Sequence, residues 1–188
     1  LISSFLSPIA NERTDEYGGS LESKLTNMFP TDLSDRARLF LDTVKLIRQH
    51  WEKPLFVRYS ATEWVEEGGF KLEDAVKVGQ WLEEAGADLL DVSSGGVSKG
   101  QKITGYGPGF QVPFSQQVKA AVKIPVGAVG RLSNAQLAES VLQEGKADVI
   151  FVGTGALKNP NLPYFFAAQL GVDVDWLIQV NDGKKLPA

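Results

Sequence analysis

Arg58 stands near the C-terminal end of an apolar run, residues 54–60 (PLFVRYS), a costly place for a fixed cation unless something anionic meets it. A neighbouring carboxylate such as Asp91 would meet it, and so would an anionic ligand. Gly127 and Gly130 lie in a second run, residues 124–130 (IPVGAVG), and Gly153 lies at the end of a third, residues 147–154 (ADVIFVGT). Glycine at a strand end lets the backbone approach a ligand closely, and free N–H groups there can cradle a phosphate. The alternative is that these glycines only turn the chain. Ser93 and Ser94 close a fourth run, residues 87–94 (ADLLDVSS), where they either line a pocket or cap a turn. The cluster Gly105-Tyr106-Gly107-Pro108-Gly109 imitates a dinucleotide loop, but it follows no strand directly and opens no clear helix, so it fails that context.

Other chemistries are excluded by composition. With no cysteine there is no disulfide, thiolate metal site or cysteine nucleophile. The single histidine, His50, falls at the end of a predicted helix, where a cation complements the C-terminal carbonyls. A histidine-dependent metal site or catalytic triad is therefore not expected.

The elements that must position these residues follow from periodicity. The four apolar runs are nearly continuous rather than alternating, as in parallel strands covered on both faces. Between them lie helical patterns. Residues 35–49 carry a stripe of Ala37, Phe40, Val44 and Ile47, and residues 72–85 carry Leu72, Ala75, Val76, Gly79 and Leu82 before Gly86 stops them. Residues 133–143 place Leu137, Ala138, Val141 and Leu142 on one face, with a Ser133/Gln136 capping box and Gly145 at the C′ position. Residues 113–122 give a less regular crossover helix, and one more helix follows the last strand. Repeated βα units imply parallel strands and right-handed crossovers. Half of a closed barrel and a small doubly wound sheet satisfy this pattern equally. Residues 95–113 form a long glycine- and proline-rich loop, of a length that is usually functional or mobile.

At 188 residues the chain suits one domain or a piece of one, short of the roughly 250 residues of a complete (β/α)8 barrel. Hydrophobic residues at 43% and charged residues at 22% fit a soluble globular protein. The net charge of −4 gives no case for nucleic acid or an anionic membrane surface. The apolar start Leu1-Ile2-Ser3-Ser4-Phe5-Leu6 is too short for a signal peptide or a membrane span. A soluble, cytoplasmic protein is expected.

The string Ser7-Pro8-Ile9-Ala10-Asn11-Glu12-Arg13-Thr14-Asp15-Glu16-Tyr17-Gly18-Gly19 is followed by Arg58-Tyr59-Ser60-Ala61-Thr62-Glu63-Trp64 and Asp91-Val92-Ser93-Ser94-Gly95. Gly127-Ala128-Val129-Gly130 and Phe151-Val152-Gly153 come next. In order and spacing these five motifs resemble the old yellow enzyme family of flavin reductases, over about residues 5 to 172. The resemblance implies a (β/α)8 TIM barrel holding FMN at the C-terminal ends of its strands. FMN would be reduced by NAD(P)H and would pass hydride to an activated alkene or enone. The fold class expected is thus α/β, the C-terminal half of that barrel, with strands five to eight present. By this resemblance Arg58 faces the N1/O2 edge of the flavin and favours the reduced, anionic ring. Gly130 and Gly153 lie where a barrel phosphate site commonly forms, after the last two strands.

The chain also departs from the family pattern. An arginine usually follows the glycine that ends the eighth strand and grips the phosphate; here Thr154 stands there. Threonine donates one hydrogen bond without charge, and a charge-assisted contact is roughly twice as strong. Arg131, just after Gly130, is expected to compensate, so the implied cofactor-binding set is Arg58, Gly130, Arg131, Gly153 and Thr154. The family's Gly-Tyr-Gln after the second of these strands is here Gly109-Phe110-Gln111. In a single domain spanning residues 1–188, residues 23–34 read as an insertion and residues 173–188 as an irregular tail.

The family's substrate-binding pair, His with His or Asn, and its proton-donating tyrosine precede the opening motif. No catalytic residue and no metal ligand is therefore assigned within this chain. Half a barrel leaves two unpaired strand edges and an uncovered inner face. Self-association, or pairing with a complementary barrel half, is expected beside the small-molecule acceptor. A catalytically silent binding or assembly module and an unrelated phosphate-binding barrel are the alternative readings.

Overall fold

The computed structural model describes residues 6–7, 32–96, 100–175 and 177. The motif residues 8–19 and residues 23–31 of the expected insertion lie outside the described residues. Helix α1 (Leu33–His50) begins on Asp32, whose carboxylate accepts from the Ser34 N–H at 2.7 Å, a side-chain N-cap. Strand β1 (Phe56–Ser60), α2 (Leu72–Glu84), β2 (Leu89–Ser93), α3 (Val112–Lys119) and β3 (Val126–Val129) follow. The described elements end with α4 (Ala135–Gln143), β4 (Val149–Phe151), α5 (Thr154–Lys158) and α6 (Leu162–Leu170). All four expected strands form, each shorter than its apolar run, and two helices rather than one follow the last strand.

Two helix ends explain why the βα units repeat so regularly. After α2, Gly86 N–H donates to Glu83 O and Ala87 N–H to Leu82 O; after α4, Gly145 N–H donates to Leu142 O and Lys146 N–H to Val141 O. Both are Schellman closures, which a C′ glycine makes cheap; Gly145 sits at φ +67°. The start of α4 differs from expectation. Asn134, not Ser133, is its N-cap and accepts from Leu137 N–H at 2.8 Å.

The strands pair in parallel in the order β1-β2-β3-β4. Sequential order with right-handed crossovers puts every helix on one side of the sheet, whereas a doubly wound sheet must reverse its order at a switch point. The alternative left open by the periodicity is thereby decided for the partial barrel. The helix-covered face carries Val57, Tyr59, Leu90, Val92, Val126 and Ala128, all buried. Tyr59 donates from its hydroxyl to the Ala75 carbonyl of α2 at 2.9 Å.

The opposite face, the inner face of a barrel, carries Arg58, Asp91, Gly127 and Val149 in one register row. Ser60 pairs with Ser93, and Val129 with Phe151, in the next. Phe56 on this face is 59% exposed. One residue of the expected α1 stripe departs too: Ile47 is 41% exposed. With Leu46, Trp51 and Leu55 it lines a shallow apolar hollow at the end of α1. No helix of the described residues is long and apolar enough to cross a membrane.

Candidate flavin site

Arg58 points from β1 onto the inner face and meets Asp91 of β2, its Nε and Nη2 each 2.5 Å from Oδ2. The carboxylate reading of its partner is therefore realised within the chain. The pairing is lopsided, because the Arg58 side chain stays 56% exposed while that of Asp91 is only 7% exposed. Burial pushes the Asp91 carboxyl above its usual range, opposed by the hydrogen bond and charge of Arg58. Its second oxygen, Oδ1, is buried with no hydrogen-bond partner among the described residues. The pair thus holds the guanidinium in place while leaving its outer edge open. Phe151 of β4 leans across the sheet to the same group, with its ring centroid 5.9 Å from the Arg58 carbon Cζ. It can do so because β3 has a glycine in the way: a Cβ on Gly127 would stand 2.3 Å from the Phe151 ring. Gly127 makes room for an aromatic ring, which the sequence alone did not reveal.

Beyond the strand ends a polar chain fixes the loops. Trp64 Nε1 donates to Ser94 Oγ at 2.9 Å, Ser94 Oγ donates to Gln111 Oε1 at 2.6 Å, and Gln111 Nε2 donates to the Val129 carbonyl at 3.0 Å. Trp64 also packs its ring against Phe110 and Phe114 and holds φ +60°. Ser94 therefore links loops, and Ser93 sends only a long bond, 3.5 Å, to Tyr59 O. Gln111, 6% exposed, is the buried hub of this chain. Its signal in the sequence was only its place after Gly109-Phe110.

Gly130 is held by two constraints, its φ of +118° and the Gln111 side chain, 2.6 Å from where a Cβ would be. Arg131 follows at φ +55°, a left-handed conformation that costs a non-glycine residue roughly 1–2 kcal/mol. This turn swings Arg131 over Tyr106, its Cζ 5.0 Å from the ring centroid, and Nη1 donates to Tyr106 O at 3.3 Å. Backbone strain of this kind concentrates at ligand sites.

Gly130, Arg131, Gly153 and Thr154 all line one cavity of about 720 Å³ at the ends of β3 and β4, within the size range of ligand pockets. Arg58 does not line it; Phe151 does, and so connects the Arg58–Asp91 pair to it. Gly153 differs from its neighbours. Its φ of −87° suits any residue, and a Cβ there would meet nothing within 4 Å. Among the described residues neither backbone nor packing requires a glycine here, and the space beside it is open. Lys158, not anticipated from the sequence, lines the same cavity; among the described residues no aspartate or glutamate does. A pocket with two cations, no carboxylate and an aromatic wall suits an anionic, ring-bearing ligand, and FMN fits these donors.

Comparison with known proteins bears on this geometry. The family model described as the NADH:flavin oxidoreductase / NADH oxidase family matches residues 1–171. NADPH dehydrogenase of Geobacillus thermodenitrificans is 39% identical over 183 residues, 97% of this chain and 49% of that protein. NADPH dehydrogenase of Halalkalibacterium halodurans is 41% identical over 174 residues, 93% of this chain and 47% of that protein. The chain spans about half the length of these relatives. Among solved structures, a 2-naphthoyl-CoA reductase complex superposes with TM-score 0.68 at 28% identity, covering 92% of this chain and 25% of that one. A morphinone reductase complex with tetrahydroNAD gives TM-score 0.57 at 23% identity, covering 93% and 42%, and speaks to fold alone. The chain belongs to the NADH:flavin oxidoreductase / NADH oxidase family, the old yellow enzyme family, and forms part of its barrel.

Proposed function

We propose that this chain is the FMN-binding half of an NAD(P)H-dependent oxidoreductase of the cytoplasm that reduces activated alkenes or enones. The observation that carries the reading is the cavity at the ends of β3 and β4, whose lining has Arg131 and Lys158 and, among the described residues, no carboxylate, although the chain as a whole is acidic. In this reading Gly153 admits the phosphate, Thr154 donates a hydrogen bond to it and Arg131 supplies charge. Arg58, held by Asp91, offers its exposed edge to the ring of the flavin. A fixed cation there favours negative charge on the ring. FMN, when bound, supplies hydride chemistry; the chain's own residues bind it, orient it and set the field around it. No residue of this chain is assigned to anchor the acceptor or donate its proton, so turnover is proposed only with a complementary barrel half; self-association would cover the open strand edges without supplying those groups.

The test is a titration of the purified chain with FMN, followed by NADPH and 2-cyclohexenone under anaerobic conditions. Saturable one-to-one binding with a shifted flavin spectrum supports the reading. An unshifted spectrum at high FMN overturns it and leaves a catalytically silent module. Bound flavin that NADPH and the enone cannot cycle would keep the cofactor reading and remove independent activity.

A further inference from the structure

We propose that Lys158 is the counter-charge for the ligand's phosphate, standing in for the arginine that Thr154 replaces. The inference rests on the flavin reading above and adds a residue to it. Thr154 and Lys158 are the first and last residues of α5 (Thr154–Lys158), four apart, and residues four apart share one side of a helix. Both line the cavity. A charge lost at Thr154 is thus restored one turn further along the same wall. Lysine suits that distance, because its four-carbon stem carries a compact, mobile charge, whereas an arginine beside the strand would grip in a fixed fork.

The electrostatic setting supports an anion and not an internal ion pair. Lys158 has no carboxylate partner among the described residues, which it shares with other surface lysines; what sets it apart is its place on a cavity whose described lining holds no carboxylate. Arg131, which lines the same cavity, also has no carboxylate partner among the described residues, its contacts being the ring and carbonyl of Tyr106. Two cations facing one cavity repel each other, and an anion between them removes that cost. A phosphate monoester, dianionic at neutral pH, matches two such charges better than one. Lys158 is exposed, so its substitution leaves the folded core untouched.

The test uses the full chain with FMN and riboflavin, which share the ring and differ in the phosphate. Lys158→Gln is expected to weaken FMN roughly ten-fold while leaving riboflavin unchanged, the loss of one charge-assisted contact. Lys158→Arg is expected to keep FMN affinity, and Thr154→Arg in the Lys158→Gln background to restore it. Inorganic phosphate should raise the thermal midpoint of the parent chain and not of Lys158→Gln. Equal FMN affinity in parent and Lys158→Gln overturns the role of Lys158 while sparing the flavin reading. Equal loss of FMN and riboflavin also overturns it, because the lysine would then act on the ring or on the fold. Failure of both flavins to bind the parent chain would remove the flavin reading itself, and Lys158 would keep a role only if phosphate alone still protects.

Discussion

The two faces of the sheet solve opposite problems. On the helix side, Tyr59, Leu90, Val92, Val126 and Ala128 are all but inaccessible to water, and even the Tyr59 hydroxyl has a partner there. On the inner side, Phe56 is largely exposed, Arg58 is half open and Asp91 keeps a buried oxygen without a partner. The first face is finished by the chain itself. The second holds polar chemistry that intramolecular contacts satisfy only in part, and it opens at β3 and β4 into a cavity with two cations. The contrast teaches where to look for function in a piece of a larger architecture: where buried polar atoms and glycines are not explained from within.

The sharpest way to break this contrast is to truncate one side chain on each face. Leu90→Ala, fully buried, should cost about 2–5 kcal/mol in urea unfolding. Phe56→Ala should stay within about 0.5 kcal/mol, as surface changes do. A comparable loss at Phe56 would mean that the inner face is covered in solution.

A pair of glycines gives the next largest effect. Gly127→Ala drives a methyl into the Phe151 ring and should cost roughly 1–3 kcal/mol, as overpacking does. Gly153→Ala meets open space, so the same unfolding measurement should find its stability equal to the parent or up to about 1 kcal/mol higher. FMN affinity should nevertheless fall in this variant, and unchanged FMN binding would assign Gly153 to the turn alone.

Tyr59→Phe removes one buried hydrogen bond and should cost about 0.5–1.5 kcal/mol.

Acid titration gives the smallest contrast and one of opposite sign. The Asp91 carboxyl is raised by burial. Its contribution to stability is therefore full below about 3.8 and is lost as pH rises through the higher folded value. On the helix-crossover side Asp148 is lowered: desolvation works against the shift, and Lys119 with the Val126 N–H outweighs it. Its contribution is present above 3.8 and is lost as pH falls through the lower folded value. Stability curves of Asp91→Asn and Asp148→Asn against the parent should therefore diverge in opposite directions as pH drops from 6 toward 3, and parallel curves would refute the assignment.

Much of this was legible in the sequence because its signals are local. Continuous apolar runs marked the four strands, and Gly86 and Gly145 marked helix ends. Four of the five expected cofactor-binding residues meet in one cavity. What the sequence hid were facts of register. The Arg58–Asp91 pair was one of the two readings the sequence offered, but that Gly127 clears space for Phe151 and that Gln111 ties the loops together depend on which residues the fold sets opposite one another. Ile47 misled because helical spacing shows which residues share a stripe and not how far the covering layer extends. That Lys158 lines the cavity was not legible either, because a lone lysine near a helix end reads as solvated surface.

The central claim is that the inner face and the cavity hold two ends of one flavin, the ring beside Arg58 and the phosphate beside Arg131. The most direct test is the ratio of FMN to riboflavin affinity in Arg58→Gln and Arg131→Ala. The account predicts that Arg131→Ala loses FMN affinity by roughly ten-fold with riboflavin unchanged, whereas Arg58→Gln weakens both flavins alike and keeps the parent's ratio. Unchanged FMN affinity in Arg131→Ala would contradict it.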